Sequence, residues 1–185
     1  MSGSLKRALG LWVASKAPGL HVYSDDLANQ AYLYPSCTVA ELAHDVTPIG
    51  CGKKDYKVRD PETHFVTAVG RIHKAGTSFR LTFRSPNSIT KAGQEIVDDL
   101  LATIELAALT TASDPDPIVL TDSVASPAVV FSLEVMKPAG RAEVPADVTG
   151  EPFLFGAALT IRLVRLFSIE RSVEHVIETI FVEDN

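Results

Sequence analysis

Residues 65–84 read FVTAVGRIHKAGTSFRLTFR, and this stretch decides the fold class. Phe65 to His73 and Ser78 to Arg84 are both rich in β-branched and aromatic residues, and Lys74, Ala75, Gly76 and Thr77 lie between them. Two such runs around a short glycine-containing connector predict a β-hairpin. In the second arm Phe79, Leu81 and Phe83 share one face, while Ser78, Arg80, Thr82 and Arg84 share the other. One face therefore meets a core and the other meets water or a partner. Pro86 ends the arm, since proline cannot donate to a strand ladder.

Helices flank this β region on both sides. Leu5, Ala8, Leu9, Trp12 and Val13 recur at helical spacing, with Ser4 as the expected N-cap and Gly19 beyond the end. After the hairpin, Ser88 is placed to cap a helix running to about Leu109. Its apolar stripe is Ile89, Ala92, Ile96, Val97, Leu100, Ile104 and Ala107, with Gln94, Asp98 and Glu105 outside it. Gly93 inside that helix costs about 1 kcal/mol relative to alanine and does not defeat the pattern.

Tyr32 to Leu42 reads as a strand that opens at Pro35, and the Gly- and Pro-containing stretch Asp45 to Glu62 reads as a loop. Ile118–Thr121, Ala128–Met136 and Phe153–Phe167 are further strands, the last with Leu159, Ile161 and Leu163 on one face. Residues 137–152 contain Pro138, Pro145 and Pro152 and no aromatic side chain, and are expected to form a long exposed loop. The closing segment fits a helix face at Val173, Val176, Ile177, Ile180 and Phe181. Its β-branched density favours a strand. The order predicts one α+β domain over residues 1–185: a mostly antiparallel sheet, two main helices on one face and a long Pro-rich loop.

Composition narrows the function classes. Of 185 residues, 46% are hydrophobic and 22% charged, which excludes a disordered tail or fibrous rod. The net charge of −6 repels rather than gathers a polyanion, which argues against wholesale DNA binding. Every apolar run stops well short of the ~18 residues a membrane span needs. Cys37 and Cys51 are too few for a disulfide framework.

No catalytic signature survives inspection. Gly50, Gly52 and Lys53 suggest a phosphate loop, but Thr47 and Lys54 stand where its first glycine and its hydroxyl residue belong. His64 and His73 lie at opposite ends of one predicted arm, roughly 30 Å apart at 3.3 Å per residue, too far to share a metal. The carboxylate pairs Asp25–Asp26, Asp98–Asp99 and Asp114–Asp116 have the character of solvated surface. No catalytic, metal-binding or cofactor-binding residue is assigned, and no cofactor is expected. A small hydrolase or ligand-binding enzyme with a pocket near His44, Asp45 and Cys51 is the alternative from a different class.

Charge is distributed unevenly. Between Thr63 and Gln94 lie Arg71, Lys74, Arg80, Arg84 and Lys91 with no acid, whereas Glu170, Glu174, Glu178, Glu183 and Asp184 crowd the end of the chain against Arg171 alone. The two zones are expected to meet between neighbouring copies, with Arg71, Arg80 and Arg84 opposite Glu170, Glu174 and Glu178 in a head-to-tail contact.

The opening helix (Leu5, Ala8, Leu9, Trp12), YPSCTVAELAHDVTPIG from Tyr34 to Gly50, RIHKAGTSFRLTFRSP from Arg71 to Pro86, the helix after Ser88 and the closing strands follow one another in an order that resembles the tail terminator and tail-completion proteins of tailed bacteriophages. The resemblance covers most of the chain and lies in element order and texture. It implies a non-enzymatic virion protein, made in the host cytoplasm, that assembles as a hexameric ring at the tail neck. Such a ring caps the tail tube and joins it to the head-completion or connector protein, with the sheath a further neighbour if the tail contracts. DNA would pass through the lumen without specific binding, in keeping with an acidic chain.

Overall fold

The computed structural model describes residues 2–24, 32–48, 56–113, 118–147 and 152–172. The elements in chain order are α1 (Ser2–Lys16), β1 (His21–Tyr23), β2 (Ser36–Pro48), β3 (Tyr56–Arg59), β4 (Val66–Ser85), α2 (Gly93–Ala112), β5 (Ile118–Asp122), β6 (Val129–Leu133), β7 (Val135–Asp147) and β8 (Leu154–Ser172). The fold is α+β, with two helices packed on a mostly antiparallel mixed sheet. Among the described residues six strands form that sheet in the order β1-β2-β4-β8-β7 with β3 also paired to β4, and β5 and β6 form a separate pair. The β1–β2 pairing is parallel; β3–β4, β5–β6 and β7–β8 are antiparallel.

Two compact units are present. The larger comprises Met1–Asp45 and Ala75–Arg165, and the smaller Val46–Lys74 and Leu166–Asn185. In the larger unit Phe79, Leu81 and Phe83 of β4 and Leu159, Ile161 and Leu163 of β8 are fully buried. Leu5, Leu9 and Val13 of α1, Val97, Leu101 and Ile104 of α2, and Leu120, Phe131 and Leu133 of the β5–β6 pair join them in one core. The alternation read from β4 and β8 thus places their apolar faces as expected.

The stretch that decides the fold class does so in a different way from the one expected. Residues 66–85 are one continuous strand, with no turn at Lys74–Thr77. Gly76 serves proximity rather than reversal: a Cβ there would stand 2.6 Å from Asp45 Oδ1 and 2.8 Å from an Arg162 guanidinium nitrogen. In the smaller unit the hairpin pairs β3 with the start of β4. Its reversal is built by Asp60, whose Oδ1 accepts hydrogen bonds from the Glu62 and Thr63 amides at 2.9 and 2.7 Å, while His64 adopts φ 58°. Asx turns and a left-handed histidine are established ways to reverse a chain without glycine. The loop expected over Asp45–Glu62 therefore contains the end of β2 and the whole of β3.

The Pro-rich loop expected at 137–152 is not shown: residues 137–147 belong to β7, whose partners run from Val164 down to Leu154 of β8, and residues 148–151 lie outside the described residues. Among the described residues β7 ends the strand order with no second neighbour, and an edge strand tolerates Pro138 and Pro145 because their missing N–H can fall on the unpaired side. The register shifts between Pro138 and Gly140 and between Val144 and Asp147, so bulges absorb the misfit. The single strand expected over Ala128–Met136 divides at Glu134, with β6 pairing β5 and β7 pairing β8.

Both helix starts are displaced. Ser4 lies inside α1 and hydrogen-bonds Asp122. Ser88 organises a turn, its Oγ accepting from the Lys91 amide at 2.9 Å, and α2 begins at Gly93, whose amide donates to Asn87 Oδ1 at 2.8 Å. Ile89 and Ala92 thereby leave the helix, and the buried line runs through Gly93, Val97, Leu101, Ile104 and Ala108. Neither helix is long and apolar enough to cross a membrane. The closing segment expected as a strand is described only to Ser172; residues 173–185 lie outside the described residues.

Candidate functional site

The larger unit presents two surfaces of opposite charge. The first is the face of β4 turned away from its buried phenylalanines. β4 contains Arg71, Lys74, Arg80 and Arg84 and no acidic residue. Arg80 and Arg84 are exposed on alternate positions to Phe79, Leu81 and Phe83, and four residues of extended chain separate them by about 13 Å. Neither is in an ion pair among the described residues. Beside them Arg162 of β8 is held by Asp45 at 3.1 Å, over the space left by Gly76. The pairing neutralises Arg162 and, among the described residues, leaves Arg80 and Arg84 of β4 and the exposed Lys137 of β7, the cross-strand partner of Arg162, as charges of this face in no ion pair.

The second surface is a groove of about 870 Å³ between α2, β7 and the start of β8, lined by residues that include Asp98, Leu101, Glu143, Val144, Pro145 and Ala157. α2 carries Glu95, Asp98, Asp99 and Glu105 and no basic residue. Lys91 pairs with Asp99, and Arg141 with Glu105, the Arg141 Nε to Oε2 distance being 3.0 Å. Asp98 accepts a hydrogen bond from Gln94 at 3.0 Å and, like Glu143, is in no ion pair among the described residues. Of the six acids on α2 and β7, Asp98 and Glu143 line the groove together with Arg141, which is held by Glu105 and also feels the charge of Asp98, so the lining carries two carboxylates against one already paired guanidinium.

Of the six residues expected at an interface, the structure brings Arg80 and Arg84 to one face. Arg71 belongs to the smaller unit and is half-buried. The backbone of Glu170 lies in β8, but its side chain, like Glu174 and Glu178, is outside the described residues. The acidity of α2 was open to the sequence, since four acids and no base over twenty residues can be counted there. Their spacing alone marks the solvated side of a helix, and only the neighbouring β7 turns part of it into a groove wall.

The alternative pocket is not assembled by the described residues. His44 Nδ1 meets Thr77 Oγ1 at 2.8 Å, whereas the adjacent Asp45 is committed to Arg162. Cys51 lies outside the described residues, and Cys37 is a fully buried free thiol whose pKa is pushed far up by burial. Among the described residues no group of histidine, cysteine and carboxylate side chains is arranged to hold a metal. No family model matches the chain, and no curated protein matches it.

Proposed function

We propose that this protein is a structural component of a bacteriophage tail neck, of the terminator or tail-completion kind, acting as a hexameric ring that caps the tail tube and joins it to the head connector. The observation that carries the reading is the face of β4 on which Arg80 and Arg84 stand exposed and, among the described residues, in no ion pair, while the other side of the strand is packed in the core. A surface of that kind is made for a partner of opposite charge. The order of elements along the chain supports the same reading, as does the net charge of −6, which keeps a conduit from holding the DNA that passes through it. Exposed Val46, Ile72 and Leu166 in the smaller unit supply apolar contact area for neighbours.

The test is the mass of the purified chain by light scattering over a concentration series, with negative-stain electron microscopy of the same sample. Closed rings are expected. A chain that stays monomeric at high concentration refutes the proposal.

A further inference from the structure

The two charged surfaces of the larger unit lie on opposite sides of its sheet. Arg80 and Arg84 leave β4 on the face opposite Phe79, Leu81 and Phe83, and those three side chains join the core that Val97, Leu101 and Ile104 of α2 complete. Within one chain the arginines and the acidic groove are therefore separated by the core and cannot neutralise each other. A second copy placed behind the first can bring them together.

From this we infer that the groove between α2 and β7 is the socket for Arg80 and Arg84 of the neighbouring copy, with Asp98 and Glu143 receiving the guanidinium groups. The inference rests on the ring reading and specifies its contact. The chemistry suits the fit on two counts. Leu101, Val144, Pro145 and Ala157 give the groove apolar surface on which the arginine stems can lie, while the carboxylates take the heads. Arginine also offers a planar donor fork that matches a carboxylate in two hydrogen bonds, which makes such a contact directional as well as attractive. The socket thus replaces Glu170, Glu174 and Glu178 as the acidic partner of Arg80 and Arg84.

Three full-length variants test it by sedimentation velocity. Arg80→Glu/Arg84→Glu and Asp98→Lys/Glu143→Lys should each raise the concentration needed for assembly about a hundredfold or more. An equimolar mixture of these two should assemble again, because each then offers the other a complementary plug and socket. That recovery also shows that both variants are folded. Glu170→Lys/Glu174→Lys/Glu178→Lys should assemble like the unaltered chain. Rings that survive both of the first two reversals, or a mixture that fails to recover, overturn the socket while leaving the ring reading intact. Dissolution by the C-terminal reversal alone does the same. An unaltered chain that never assembles removes both.

Discussion

Gly93 shows how a residue that weakens a helix in isolation can be required by packing. A Cβ at this position would fall 2.5 Å from Phe155 Cδ2 and 2.8 Å from the Ser85 carbonyl oxygen. A backbone neighbour cannot swing aside, so Gly93→Ala is expected to destabilise by about 2 kcal/mol in chemical denaturation despite alanine's better helix propensity. Gly76→Ala meets only the ends of Asp45 and Arg162, both partly exposed, and should cost less than about 1 kcal/mol. Asp122 makes a different point. It is fully buried, its Oδ2 holds Arg7 at 2.9 and 3.0 Å and also binds Ser4, and its Oδ1 accepts from the amides of Val124 and Ala125. The Arg7 hydrogen bond, then that of Ser4, keeps its carboxyl below the usual carboxylate range. Its contribution to stability is complete above that range and is lost as pH falls through the lowered value. Thermal melts of Asp122→Asn should therefore show a lower Tm at neutral pH and a shallower decline into acid than the unaltered chain.

Elements were legible in the sequence wherever one periodicity dominated. The faces of β4 and β8, the apolar side of α1 and most of α2 follow directly from two-residue or helical spacing. What escaped depends on neighbours distant in sequence. Gly76 gives the local signal of a turn, yet its small size accommodates the side chains of Asp45 and Arg162. Pro138 and Pro145 give the signal of a loop, and only the position of β7 at the end of the strand order makes them acceptable in a strand. The shifted start of α2 takes Ile89 off the apolar stripe on which its spacing placed it, in contrast to Leu81 on the buried face of β4. Leu81 is fully buried while Ile89 is fully exposed. Leu81→Ala should cost about 3 kcal/mol in urea unfolding, and Ile89→Asp should stay within about 0.5 kcal/mol of the parent. A large loss from the second substitution would return Ile89 to the core.

At the scale of the whole molecule the sequence disclosed the existence of charge asymmetry and the basic half of its location. The acidic zone expected at Glu170, Glu174 and Glu178 lies outside the described side chains, and the pairing of Asp98 with Glu143 in one lining comes into view only where α2 and β7 share a groove, since the two are far apart along the chain. Their joint surface is invisible to any count of neighbouring residues. The separation of plus and minus to opposite flanks of one sheet also limits the symmetry that copies can adopt. A twofold pair built through either flank would set like against like, arginine facing arginine or carboxylate facing carboxylate, and repulsion would oppose it. Growth by translation and rotation has no such penalty, yet every open string keeps one unfilled end of each sign. Only a string that bends back upon itself leaves neither, and so the proposed plug-and-socket contact favours a circle over a dimer.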